Sequence, residues 1–253
     1  MRATSITLQS ESLMKLSEDE KCFFQENGYL IIKDFLSSKT CQELKDAAHK
    51  HAQDKIHNYL NFHRDIEEFK SLITHSSLHD ICDQVLNARM VPIGSIFFFG
   101  KPNNPLENGS LPHQDNYAAK APNGSYLVAS LALDVTRKDN GALYVYPGSN
   151  KLPELPFVES KNFEYDDSGK LIKNFPIGNE VKIPDGYEKL TLEYDPGDLI
   201  LLHSNIIHGA EKNINSSDKW RHQYYMHFIK DGDPFWPGWN ARRQIMDRGP
   251  KRI

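Results

Sequence analysis

Cysteine is scarce in this chain: Cys22, Cys41 and Cys82 are the only three in 253 residues. They are an odd, scattered set with no Cys-x-x-Cys spacing, which argues against both a disulfide framework and a thiolate zinc site. Long apolar runs are missing as well. No stretch approaches the length of a membrane span, and the first fifteen residues hold no apolar core of signal-peptide length, so the expectation is a cytoplasmic protein. The final Lys251-Arg252-Ile253 does not match a peroxisomal address. Charge of one sign is not in excess either: a net charge of -4 gives no electrostatic reason to expect nucleic acid as a partner. No Gly/Ser-rich or charge-rich linker divides the sequence, and 39% hydrophobic with 25% charged residues is ordinary for a soluble globular chain. One domain over residues 1–253 is the expected organisation, with a small molecule as partner and a monomer or weak dimer as the assembly.

Two kinds of secondary structure divide the chain. Ser17 with Glu20 three places later forms a capping-box pattern, and Gly28 is a stop signal, so 17–27 reads as a helix. Further helices are expected at 38–52 and within 65–86, making 16–90 a helical support. His49, His51, His57 and His63 fall in this polar stretch and read as solvated side chains. From 91 to 230 short β-branched and aromatic runs alternate with Gly/Pro/Asn turns, with strands expected at 93–100, 126–135, 142–146, 190–194, 198–202 and 221–229. That pattern suggests a mainly β fold with flanking helices, a double-sheet jelly roll. Residues 151–189 interrupt it with a long polar insert, which is expected to act as a lid. Residues 231–253 form a C-terminal tail in which Phe235-Trp236-Pro237-Gly238-Trp239 either packs as a cover or touches substrate.

Chemistry concentrates at His113-Gln114-Asp115, which follows the β-run Phe97-Phe98-Phe99-Gly100 and a loop at 102–109. His-x-Asp has only two fixed letters and is weak alone. In an extended segment residues i and i+2 share a side, so His113 and Asp115 can meet one ion while Gln114 faces away. Two imidazoles and one carboxylate on one face of a divalent metal leave the opposite positions open, the arrangement of non-haem Fe(II) sites that activate oxygen. A second histidine is available after the turn Asp195-Pro196-Gly197-Asp198 and the aliphatic run Leu199-Ile200-Leu201-Leu202. His203 and His208 both lie near the far end of that strand and differ in parity. They cannot both face the ion if the strand runs straight, and the residues alone leave the choice open.

Four blocks resemble the phytanoyl-CoA dioxygenase family of Fe(II)/2-oxoglutarate oxygenases, with the similarity running from about Leu16 to Lys230. They are Leu16 to Leu36 with its Glu26-Asn27-Gly28-Tyr29; His113-Gln114-Asp115; Asp139-Asn140-Gly141-Ala142-Leu143 on to Tyr146-Pro147-Gly148-Ser149-Asn150; and Gly197-Asp198 through Ile207-His208-Gly209, Lys212-Asn213 and Arg221. Asn150 stands where the family usually has histidine. The resemblance implies a double-stranded β-helix (jelly roll, cupin-like) and the metal ligands His113, Asp115 and His208. It also implies that Arg221 binds the cosubstrate.

The cofactors so implied are Fe(II), 2-oxoglutarate and O2. The planar donors of Arg221 match the far carboxylate of 2-oxoglutarate, and Gln223, two positions on, shares its face. Hydroxylation of an unactivated C–H bond, with release of succinate and CO2, is the expected reaction. Asp115 argues against halogenation, in which related enzymes replace the metal carboxylate by a small residue. Tyr117, Tyr126, Phe97, Phe99 and Trp236 are candidates for contact with substrate. The competing readings are a cupin-like metalloenzyme that does not use 2-oxoglutarate, and a ligand-binding jelly roll without turnover.

Overall fold

The computed structural model describes residues 14–52, 58–100, 109–158, 163–165, 171–174, 180–214 and 219–248. Helix α1 (Glu18–Asn27) begins as its sequence dictates: Ser17 Oγ accepts from Glu20 N, and Glu20 Oε2 accepts from Ser17 N at 2.8 Å. Gly28 ends the helix in the left-handed region at φ 79°, its N–H donating to Phe24 O. A reciprocal cap of this kind contributes about 1 kcal/mol. Strand β1 (Tyr29–Ile32) follows, then α2 (Ser38–Ala52), β2 (Asn58–Leu60), α3 (Glu67–Ile73) and α4 (Ser76–Leu86). The helical region expected at 65–86 is thus two helices, separated where Thr74 leaves helical geometry.

The β region comprises β3 (Met90–Phe98), β4 (Ser110–His113), the short helix α5 (Asn116–Ala119), β5 (Tyr126–Ala132), β6 (Leu143–Val145), β7 (Phe157–Val158), β8 (Phe163–Tyr165), β9 (Leu171–Asn174), β10 (Glu180–Val181), β11 (Leu190–Thr191), β12 (Leu199–His203), β13 (His208–Ala210) and β14 (Gln223–Lys230). These form a six-stranded sheet in the order β1-β12-β5-β14-β3-β2 and a four-stranded sheet in the order β11-β6-β13-β4. The pairings within both sheets are antiparallel. This is the jelly roll expected from the sequence. Of the insert, β7 pairs with β10 and β8 with β9, and the remainder of 159–179 lies outside the described residues. No described helix is long and apolar enough to cross a membrane.

Strand alternation sorts the core into two layers. Along β5, Leu127, Ala129 and Leu131 face the helices and join Phe24, Leu44, Phe69 and Ile81, while Tyr126, Val128 and Ala132 face the other sheet with Leu143, Val145 and Ile200. Every residue of β5 is therefore buried. Phe97 and Phe99 share the parity of the helix-facing layer. They are 0% and 2% exposed, packed in the helix-side cluster with Phe62 and Phe69, and they form core, not the wall of the barrel interior. Phe98 has the opposite parity and stands 5.3 Å, ring to ring, from Tyr225. The polar-face reading of the early histidines also fails in part. His63 is buried with its Nδ1 2.7 Å from Ser95 Oγ, and His49 Nε2 meets His222 Nε2 at 2.8 Å; His57 lies outside the described residues.

Candidate metal centre and cosubstrate anchor

The four-stranded sheet brings the two halves of the motif together. β4 and β13 are antiparallel neighbours, and His113 and His208 are direct Cα partners in their register. Their rings lie 4.4 Å apart, centroid to centroid. Asp115 does not continue the strand. At φ -65° and ψ -26° it turns into α5, and it reaches the histidines from that helical turn, not from the same side of an extended segment. Its Oδ1 is 3.5 Å from His113 Nε2 and its Oδ2 is 3.5 Å from His208 Nε2. One donor atom from each residue lies within 4.8 Å of the others. This is the only group of three such side chains that could share an ion among the described residues.

Each imidazole is prepared for coordination by its other nitrogen. His113 Nδ1–H donates to Leu111 O at 2.7 Å and His208 Nδ1–H donates to Ile206 O at 3.1 Å, which turns both Nε2 atoms toward Asp115 and reserves them for a metal once the rings are neutral. Burial acts first on all three groups. In His208 it lowers the pKa against the attraction of Asp115; in His113 the hydrogen bond and charge of Asp115 overcome it and the pKa is raised. Burial would keep the Asp115 carboxyl protonated, but the positive charge that His208 and His113 carry when protonated holds it well below the ordinary carboxylate range, a charge that a bound metal would supply in their place. An ionised carboxylate and two correctly tautomerised imidazoles are the donor set that divalent iron takes, so the residues fit the metal implied by the sequence.

His203 is separated from this cluster by the chain's change of sheet. β12 ends at His203, Ser204–Ile207 make a turn, and β13 begins at His208 on the other sheet. His203 Nδ1 accepts from Asn205 N at 3.1 Å, and its ring lies 6.3 Å from Phe24. The parity argument from the sequence assumes one straight strand, and the crossover removes that premise. Gln114 faces away from the cluster as expected, and its amide is fully engaged elsewhere: it donates to Asn205 O and Pro153 O while its carbonyl accepts from Leu155 N. It therefore ties the Asp115 segment to the turn before His208 and to the start of the insert.

Arg221 precedes β14 and is fixed on three sides. Its backbone N–H donates to Gly100 O at 3.0 Å, its Nη1 donates to Gln223 Oε1 at 2.5 Å, and its Nε lies 3.1 Å from the place a Cβ on Gly141 would take. Gly141 has φ 96°, a conformation that favours glycine, and its missing side chain leaves the space that Arg221 approaches. Gln223 is engaged at both ends of its amide, accepting from Tyr225 OH as well as Arg221 and donating to Tyr194 OH. It orients the arginine. From sequence Asn140-Gly141 reads as a turn only; a glycine before a strand carries no sign of what it packs against.

Of the remaining candidates, Tyr117 and Trp236 lie at α5 and Tyr126 begins β5. Tyr117 stands edge-on to Phe157 at 4.1 Å. Trp236 donates its backbone N–H to Ala119 O and has Lys120 Nζ 5.1 Å from its ring centre. Tyr126 is buried in the interior layer with its hydroxyl bonded to His227 Nδ1. His227 is not among the residues singled out from the sequence. The alternation Arg221, Gln223, Tyr225, His227 is the signal that exposes it.

A family profile described as phytanoyl-CoA dioxygenase (PhyH) matches residues 24–223. A phytanoyl-CoA dioxygenase of Arabidopsis thaliana is 25% identical over 168 residues, 66% of this chain and 54% of that one. The peroxisomal phytanoyl-CoA dioxygenase of Bos taurus is 22% identical over 239 residues, 84% of this chain and 68% of that one. The chain thus spans about half the length of the plant relative and about two thirds of the bovine one. Among solved structures, the non-haem alpha-ketoglutarate-dependent carbocyclase SnoK from nogalamycin biosynthesis superposes with a TM-score of 0.69 at 18% identity, covering 88% of each chain. At that identity the likeness speaks for the fold.

Proposed function

The chain belongs to the phytanoyl-CoA dioxygenase family, and we propose that it is an Fe(II)- and 2-oxoglutarate-dependent oxygenase that hydroxylates an unactivated C–H bond of a small molecule. The observation that carries this reading is the convergence of His113, Asp115 and His208 within 4.8 Å of one another. Those three side chains would hold the iron, and Arg221 would receive the far carboxylate of 2-oxoglutarate. When bound, iron with 2-oxoglutarate and O2 supplies the oxidation, in which the cosubstrate becomes succinate and CO2 and one oxygen atom goes to the substrate.

The protein's own contribution is orientation. The carbonyls of Leu111 and Ile206 hold both imidazoles in the tautomer that offers Nε2. Asp115 is held ionised by the positive charge facing it, from the imidazoles when protonated and from the metal once they are ligands. Gln223 aims the guanidinium, so that its forked donors are already arranged when a carboxylate arrives. Tyr117, Tyr126 and Trp236 form our proposed substrate wall, on the side of α5 that comes after Asp115. Ring formation is the second outcome we keep, because a carbocyclase shares the fold and substrate placement decides the fate of the substrate once a hydrogen is lost. The test is 2-oxoglutarate consumption by the purified protein. Succinate release should need both Fe(II) and O2 and should rise when the true substrate is supplied from a metabolite library. Consumption indifferent to iron would remove the proposal.

A further inference from the structure

The interior face of β14 holds a second polar group beyond the cosubstrate anchor. Arg221, Gln223 and Tyr225 are bonded to one another, and His227, next in the alternation, stands apart from that chain. Its Nδ1 is bonded by the Tyr126 hydroxyl, with the two rings stacked 9° from parallel. Its Nε2 is buried and has no hydrogen-bond partner among the described residues, and the residue is only 7% exposed. Burial first, then the nearby Arg243 charge, lowers its pKa to about 4, so the ring is neutral near pH 7. As the more acidic of the two groups, the phenol gives its hydrogen to His227 Nδ1, which puts the imidazole hydrogen on Nε2. The result is a buried N–H with nothing to receive it, a group that native structures rarely leave unpaired without a ligand to complete it.

Arg243 arrives from the C-terminal segment. Gln244 and Met246 donate their N–H groups to Ile93 O and Pro92 O, laying the segment beside β3. Arg243 Nη1 donates to Ala118 O at 2.9 Å, and its Cγ lies 3.6 Å from where Gly94, the strand partner of His227, would carry a Cβ. The guanidinium is thus fixed between α5, which starts from Asp115, and His227. Through Ala118, in the helical turn that opens at Asp115, Arg243 is tied to the segment that carries a metal-ligand candidate. Asp115 is turned to the two ligand imidazoles.

We propose that His227 and Arg243 form a recognition subsite for an oxyanion carried by the substrate, a carboxylate or a phosphoryl group, received by His227 Nε2–H and the Arg243 guanidinium. Tyr126 is the positioning residue that fixes the imidazole. The inference deepens the proposed function by giving the substrate a charge class, and it rests on that reading only for what happens to the substrate after it binds. Arg221 and Arg243 then divide two anions between them, cosubstrate and substrate.

The test is calorimetry on the full chain loaded with Mn(II) and saturating 2-oxoglutarate, which together block the metal and the Arg221 anchor. The probes are inorganic phosphate, butyrate and benzoate, with butyramide and benzamide as uncharged counterparts. At least one anion should bind and its uncharged counterpart should not, and phosphate against carboxylate identifies which oxyanion is preferred. Arg243→Met, a change at a half-buried tail residue, and His227→Phe should each weaken that binding by about tenfold or more, the loss expected for one charge-assisted hydrogen bond. His227→Gln, which can place an N–H near the same point, should recover part of it. Amides binding as well as the anions, no probe binding, or anion affinity unchanged in both loss variants would overturn the subsite. The proposed function fails separately, by absence of 2-oxoglutarate binding in the same titrations; the loss of anion binding in Arg243→Met and His227→Phe then still reports on the subsite.

Discussion

His113 and His208 face each other as direct partners across the β4–β13 pair, and this one register position creates the candidate metal site. A slip of one residue would turn either imidazole to the opposite face of the sheet. Gly209 protects the register: a Cβ there would collide with the Tyr144 hydroxyl, which donates to Ser110 O on β4.

The two nearby histidines should separate cleanly. His208→Ala removes one of three donors and should reduce divalent-metal affinity by at least about tenfold, comparable to or larger than losing an outer-shell partner. His203→Ala should leave affinity near that of the unaltered chain. Equilibrium dialysis with Fe(II) or Mn(II) measures both, and the reverse pattern would reassign the ligand.

Arg221→Lys should weaken 2-oxoglutarate binding by roughly 10- to 100-fold, since an ammonium cannot reproduce the two parallel bonds of a guanidinium. The cosubstrate titration should show the change while metal affinity stays constant. Equal affinity for 2-oxoglutarate would take the anchor away from Arg221.

Gly141→Ala is expected to act on the same titration from outside the site. The added methyl would stand 3.1 Å from Arg221 Nε, on a backbone held at φ 96°. The strain should displace the guanidinium and raise the KM for 2-oxoglutarate, with a smaller change in metal affinity. Uniform loss of both would indicate general unfolding, and no change would show that Arg221 does not depend on this close approach.

Stability should fall on mild acidification. Burial lowers His63, His79, His203 and His227 to about 4 from an ordinary 6.5. Between those values the unfolded chain takes up protons that the native state refuses, so stability is full above pH 6.5 and declines as pH drops toward 4. Urea unfolding of the metal-free protein at about pH 7 and about pH 5 should show a lower midpoint at the acid value. His63→Gln should flatten the dependence. A midpoint independent of pH would mean that these rings are protonated in the folded state.

Much of the fold and the site is legible in the residues. Ser17, Glu20 and Gly28 specify α1 through purely local bonds, and the aliphatic run 199–202 announces a buried strand, so both are readable without tertiary information. The positions of His203 and His208 are not, because the choice depends on a change of sheet within four residues. Phe97 and Phe99 show a parity limit: an aromatic triplet in a strand buried on both faces does not say which side looks inward. Asp115 reaches the histidines from a helical turn, where strand alternation does not apply. Gly141 and His227 acquire their meaning only from Arg221 and Tyr126, residues 80 or more positions away in the chain.

Iron-dependent succinate formation across three variants tests the central claim most directly. With Fe(II), O2 and 2-oxoglutarate supplied, the unaltered chain and His203→Ala should release succinate, while Asp115→Ala and His208→Ala should release none above the iron-free background and should retain their circular-dichroism spectra. Succinate formed at an unaltered rate by Asp115→Ala or His208→Ala would contradict the account.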